Sequence, residues 1–65
     1  MTKEAAHAID FLAENPFGHT TVDAGALRSI LLESGSRITG GGCLYDVVAS
    51  NIGAGMYKMS LRRVS

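Results

Sequence analysis

The alternation of apolar and polar residues near the C-terminus constrains the fold more than any other feature of this sequence. In the segment Met56 to Val64, Tyr57, Met59 and Leu61 alternate with polar residues, which is the period of a strand with one buried face. A strand needs a partner, and the nearest candidate is the segment Cys43 to Ser50, which is rich in β-forming residues. Residues 51 to 55 resemble a hairpin loop. The sequence therefore predicts a C-terminal β-hairpin.

The first strand of this hairpin has a helical alternative. Leu44, Val47, Val48 and Ile52 also lie at the i, i+3, i+4, i+8 spacing of one helix face. The spacing leaves both structures open for residues 43 to 52. We favour the strand because the final segment requires a partner.

Two helices are predicted in the first half of the chain. Residues 2 to 15 carry apolar residues at helical spacing, and the helix ends before Pro16 because the residue preceding a proline disfavours the helical region. A second helix extends from a cap at Thr21 or Asp23 to about Ser34. Both helices begin with residues that commonly accept hydrogen bonds from the first turn.

The remaining segments are short. His19 to Val22 is β-prone, and forms either a brief strand or an extended approach to the second helix. Thr39 to Gly42 is glycine-rich and is expected to be a flexible connection. The predicted fold class is therefore α+β, a single small domain over residues 1–65 in which two N-terminal helices are followed by a C-terminal β-hairpin.

The small size of the chain indicates a need for additional stabilisation. A 65-residue domain buries only about 60% of the surface that its unfolded chain exposes. Cys43 is the only cysteine, and together with His7 and His19 it does not give zinc-ligand spacing. Self-association is the remaining route, so we expect a homodimer or a bound partner.

Charge and cysteine usage bear on compartment and partners. A single cysteine, the lack of an apolar signal core and the lack of a membrane-length apolar run favour a cytoplasmic protein without membrane attachment. Six basic and six acidic residues cancel. Any attraction to nucleic acid must therefore arise from local charge.

No catalytic pattern emerges from the sequence. The glycine-rich segments lack the lysine and the βαβ context of phosphate-binding loops. Cys43 and the two histidines have no group that would orient them for nucleophilic catalysis. We therefore expect a non-enzyme with no cofactor, no metal and no small-molecule substrate.

The C-terminal stretch holds the main local concentration of charge. From Lys58 to Val64 there are three basic residues and no acid. Lys58 and Arg62 share one strand face and can follow a phosphate backbone. A solvated edge strand, whose charges prevent aggregation, explains the same residues.

Two resemblances point to DNA. Two helices, a glycine-rich connection and a hairpin resemble small winged-helix proteins of bacteria and their phages. Separately, Leu44 to Ala49 followed by Ile52 and Gly53 look like the helix-turn-helix of bacterial repressors. In winged-helix families the recognition helix and the wing contact DNA. The resemblance thus implies a regulatory protein that binds DNA through its basic hairpin, with contacts from Arg37, Thr39, Lys58, Arg62 and Arg63.

A second function explains the composition better. Neutral charge and a hydrophobic content of 46% fit a phage-type inhibitor or adaptor that binds a host protein instead of DNA. Its expected contacts are Met56, Tyr57 and Met59, because methionine and tyrosine adapt well to partner surfaces. A purely structural oligomer is a third possibility.

Overall fold

Two capped helices form where the apolar periodicity predicts them. The computed structural model describes residues 1–64, with α1 at Lys3–Glu14 and α2 at Ala24–Ser34. The side chain of Thr2 accepts a hydrogen bond from the Ala5 amide at 3.1 Å, and Asp23 accepts one from Ala26 at 2.7 Å. Each helix therefore begins at an N-cap that satisfies a free amide of the first turn. Both predicted helices are confirmed.

Four strands form one antiparallel sheet. They are β1 at His19–Asp23, β2 at Arg37–Gly40, β3 at Cys43–Gly53 and β4 at Met56–Arg63. Their order in the sheet is β1-β4-β3-β2. The predicted hairpin is the central pair, β3 and β4, so the strand interpretation of residues 43 to 50 is confirmed and the helical alternative is wrong. The expected loop was too long, because β3 continues through residues 51 to 53 and only residues 54 and 55 form the turn.

The order of elements differs from the prediction of two helices followed by a hairpin. The fold is α+β, but β1 lies between the helices and pairs with β4, while β2 precedes the hairpin and pairs with β3. The strand alternative for His19 to Val22 is confirmed as β1, whereas β2 was not predicted. At 5 and 4 residues, both strands are too short for a clear alternation of apolar and polar residues. The expected arrangement was therefore wrong, because the helices are interleaved with the strands.

Two tight turns connect the last three strands. Gly41 and Gly42 have φ of 57° and 79°, and Ala54 and Gly55 have φ of 54° and 72°. Positive φ at both central residues is the requirement of the type I′ turn, whose twist matches that of the flanking strands. Residues 41 and 42 thus form a defined turn, and residues 39 and 40 belong to β2 instead of a flexible connection.

The core lies between the helices and one face of the sheet. The fully buried side chains of Leu12 and Ile30 come from the helices, and that of Met59 comes from β4. The remaining buried hydrophobic residues are Ala5, Ala8, Val22, Ala26, Ile38 and Tyr45. Both helices pack on the same side, and the opposite face of the sheet is covered by no other element of residues 1–64. Within the same residues, neither helix is long and apolar enough to cross a membrane.

Candidate nucleic-acid interface

The side of the sheet that no helix covers carries most of the basic residues expected to contact DNA. Successive strand residues point to opposite faces, and residues directly opposite on neighbouring strands share a face. Since Val22, Tyr45 and Met59 point to the helices, their neighbours along each strand point away. We call this surface the open face. Its members are His19, Thr21, Asp23, Arg37, Thr39, Leu44, Asp46, Val48, Ser50, Met56, Lys58, Ser60 and Arg62.

The open face brings together most of the residues expected to contact DNA. Arg37 and Thr39 lie on β2, and Lys58 and Arg62 lie on β4. Arg63 is exposed but lies on the helix side, directly opposite Tyr45 on β3. The expected set is thus split by strand alternation into four residues on one face and one residue on the other.

One carboxylate organises two of the arginines. Arg37, Asp46 and Arg62 lie opposite one another on three adjacent strands. The Nε of Arg37 donates to Oδ1 of Asp46 at 3.0 Å, and an amino group of Arg62 donates to Oδ2 at 3.0 Å. The side chains of Arg37 and Arg62 remain 59% and 74% exposed. Each guanidinium therefore keeps further donors for an anion.

The electrostatics of Asp46 follow from this arrangement. The hydrogen bond from Arg62, joined by that from Arg37, lowers the pKa of Asp46 from its ordinary value of 3.8, while partial burial acts in the opposite direction. Asp46 is therefore ionised at neutral pH. It holds the two guanidinium groups side by side and neutralises part of their charge.

Charge is strongly segregated between the two layers despite the neutral total. Five acidic and two basic residues precede Gly35, whereas four basic and one acidic residue follow it. The first part forms the helices and β1, and the second part forms β2, β3 and β4. Counted by layer, the helices carry four acidic and two basic residues, and the strands carry two acidic and four basic residues. The helical layer is thus net negative and the sheet net positive, although the total charge is zero.

The basic groups of the open face cover a small area. Lys58 and Arg62 are four residues apart on β4, which corresponds to about 13 Å along a strand. Arg37 and Arg62 are separated by two strand spacings, about 10 Å. This footprint is comparable to the axial length of about four nucleotides in one strand of a DNA duplex. The surface can therefore contact a few phosphates at a time.

The residues expected to contact a protein partner are poorly placed for that role. Met59 is fully buried, with 0% of its surface exposed, at the centre of the core. Met56 and Tyr57 are half-buried, and Tyr57 packs against the core from the helix side. The expectation of an exposed Met59 was wrong because its position in the alternation turns it toward the helices.

A groove lies on the other side of the molecule, between α1 and the edge strand β1. Its volume is about 660 Å³. The lining includes the apolar side chains of Ala8, Phe11 and Val22 and the polar side chains of Lys3 and His7. Phe11 is 45% exposed. Among residues 1–64 there is no group of three or more His, Cys, Asp or Glu side chains that could hold a metal ion.

Two features of the site were missed by sequence reasoning. Asp46 pairs with Arg37, nine residues before it, and Arg62, sixteen residues after it, and only the strand register reveals this contact. His19 joins the open face because β1 pairs with β4. The opposite charges of the two halves of the sequence were a signal that could have been found without the structure.

Comparison with known proteins gives no family for this chain. It matches no protein-family model, no curated protein and no solved structure. Function must therefore be argued from the geometry and charge of the open face.

Proposed function

We propose that this domain is a small cytoplasmic, non-enzymatic regulator that binds duplex DNA through the open face of its sheet. The observation that carries the proposal is the presence of Arg37, Lys58 and Arg62 on one uncovered face, with Asp46 as its central acid. Side chains of Arg and Lys that contact phosphates supply most of the affinity of non-specific DNA binding. Thr39 on the same face adds a hydroxyl that can donate to a phosphate oxygen.

The distribution of aromatic residues favours duplex DNA over single strands. Sheets that bind single-stranded nucleic acid stack the bases on exposed aromatic side chains. Here both tyrosines point to the helix side, and both phenylalanines lie outside the sheet. Contacts from the open face are therefore directed to the phosphate backbone, which a duplex presents continuously.

A winged-helix-like arrangement also belongs to this proposal. What supports it is the hairpin of β3 and β4, which corresponds to a wing, and the two helices that precede it. The segment between α2 and the hairpin is β2, where the resemblance places a recognition helix. Arg37 and Thr39 would accordingly contact DNA from a strand.

Two neighbouring arginines provide a matched test. Arg62 lies on the open face and Arg63 on the helix side, yet both are exposed and at the end of the same strand. If Arg37, Lys58 and Arg62 each contact one phosphate, a plot of the logarithm of the affinity for duplex DNA against the logarithm of the salt concentration should have a slope of about −2.7. Arg62→Gln should reduce the magnitude of this slope by about 0.9. Arg63→Gln should leave it unchanged.

The measurement is fluorescence anisotropy of a labelled duplex at several salt concentrations, with Lys3→Gln as a control in the helical layer. Equal effects of Arg62→Gln and Arg63→Gln would rule out a contact through the open face. Wild-type protein that shows no DNA binding at low salt would contradict the proposal itself.

A second candidate function is binding to a host protein. It is favoured by the exposure of large apolar side chains, notably Phe17 at 98% and Leu32 at 77%. These residues lie on the helical side and in its connection to β1, away from the open face. Recovery of a protein partner that survives nuclease treatment, and that Phe17→Ser abolishes, would favour this function over DNA binding.

A further inference from the structure

The edge strand β1 has one unpaired side. It pairs with β4 through residues His19–Asp23, and within residues 1–64 no other strand pairs with its second edge. The amide of Ala24 donates to the carbonyl of Gly55 at 3.2 Å. Because hydrogen-bonded positions alternate along an antiparallel pair, the amides and carbonyls of His19 and Thr21 point away from β4. These groups are free to bind another strand.

We infer that two copies of this chain pair through the free edges of β1, in an antiparallel register centred on Thr21. In this register Thr21 lies opposite the partner's Thr21, and the two residues exchange both backbone hydrogen bonds. Threonine pairs opposite each other stabilise antiparallel sheets. A two-fold axis through this pair makes the contact self-complementary, as a closed homodimer requires.

The polar side chains at the two ends of β1 fit the same register. His19 lies opposite the partner's Asp23, and both side chains belong to the same face of the sheet. Asp23 uses Oδ1 to cap α2, so Oδ2 can accept a hydrogen bond from the imidazole. The two-fold axis repeats this pair. An edge that carries a histidine at one end and an aspartate at the other is therefore complementary to itself.

The groove beside β1 provides space on the helix side. In the paired register, Val22 lies opposite the partner's Thr20, so that β-branched side chains face each other at the floor of the groove. The half-exposed ring of Phe11 lies along the same groove. Pairing would thus cover apolar surface that a monomer leaves in water.

The other free edges are less suitable. Self-pairing of β2 offers no carboxylate to Arg37, because Asp46 lies on the neighbouring strand and is already engaged. The part of β3 that extends beyond β2 contains an irregularity in register between Asn51 and Gly53. Bulges of this kind protect edges from further pairing. Of these three edges, that of β1 is the most suitable for pairing with a second copy.

The pairing has a consequence for the open face. A two-fold axis perpendicular to the sheet joins the two four-stranded sheets into one continuous sheet with all helices on one side. Both open faces then lie on the other side, so the dimer presents two basic surfaces to one DNA duplex. Two linked sites bind far more tightly than one when both can engage together. This consequence rests on the proposed function, whereas the pairing does not.

Proline substitutions at the two edges test the pairing. Thr21→Pro removes an amide that points away from β4, which an edge strand tolerates. Thr39→Pro is the matched control on the edge strand β2. The amide of Val47 donates to the carbonyl of Ser36, and because hydrogen-bonded positions alternate along the pair, the amide of Thr39 points away from β3. Sedimentation or native mass measurement without DNA should give twice the chain mass of 6.8 kDa for the wild type and Thr39→Pro. Thr21→Pro should give the monomer mass.

Two substitutions of His19, with opposite charges, give a second test that does not depend on proline. His19→Lys keeps a donor opposite the partner's Asp23 and should remain dimeric. His19→Glu places two carboxylates opposite each other and should increase the dimer dissociation constant at least tenfold. A monomeric wild type, a dimeric Thr21→Pro, or equal dissociation of His19→Lys and His19→Glu would overturn the inference. Because no DNA is present, these results are independent of DNA binding.

Discussion

Replacing Met59 by alanine should remove much of the stability of this domain. Met59 is fully buried on β4 and belongs to the same core cluster as Leu12 and Ile30. Truncation of a buried methionine to alanine destabilises a protein by about 2 to 5 kcal/mol. A domain of this length has a total stability of roughly 3 to 10 kcal/mol, at 0.05 to 0.15 per residue. The substitution should therefore remove about half of the free energy of unfolding.

Urea unfolding followed by far-ultraviolet circular dichroism measures this effect. With a slope of about 1 kcal/mol per molar urea, the midpoint should fall by about 2 M or more. Met56→Ala is the matched control, because Met56 lies on the open face of the same strand and its truncation should change stability by about 1 kcal/mol or less. Met59→Leu should also be mild, since it nearly conserves volume. All proteins must be compared at one concentration, because the proposed dimer would make the measured stability depend on concentration. Equal midpoints for Met59→Ala and Met56→Ala would refute the assignment of Met59 to the core.

Two further predictions concern single side chains. The lowered pKa of Asp46 means that its ion pairs stabilise the folded state above pH 3.8, and that this contribution is lost as the pH falls through the lowered value. Between about pH 5 and about pH 2, the urea midpoint of Asp46→Asn should therefore fall less than that of the wild type. The same pH profile for both proteins would contradict the pairing. Ala54 has a φ of 54°, so Ala54→Asn should raise the free energy of unfolding by about 1 kcal/mol by giving the Asn-Gly sequence that type I′ turns favour, and a lower urea midpoint would show that the turn is not of this type.

The helices and the central hairpin could be predicted from the sequence because each has a clear period and recognisable ends. Thr2 and Asp23 were identified as possible caps, and both act as caps. The alternation of residues 57 to 62 placed β4 correctly. Local patterns were sufficient for these elements because their stabilising contacts are repeated along the segment.

The pairing of the edge strands and the layout of the site required the structure. A brief strand at His19 to Val22 was one of the two expected alternatives, but its pairing with β4 was not predicted. In β2 only Ile38 is buried, so the strand shows no alternation, and the glycines at residues 40 to 42 suggested a flexible connection. Lys58 and Arg62 were correctly assigned to one strand face. That Arg63 lies on the opposite face was not predicted. The equal totals of acidic and basic residues concealed the charge segregation, because a sum over the chain contains no information about layers.

The most direct test of DNA binding through the open face is to titrate ¹⁵N-labelled protein with a short DNA duplex at low salt and follow the amide resonances. The largest changes should occur at Arg37, Lys58, Ser60 and Arg62, and those of Glu4 and Asp10 on α1 should be small. Changes concentrated on α1 and α2, or no change at saturating DNA, would contradict binding through the open face.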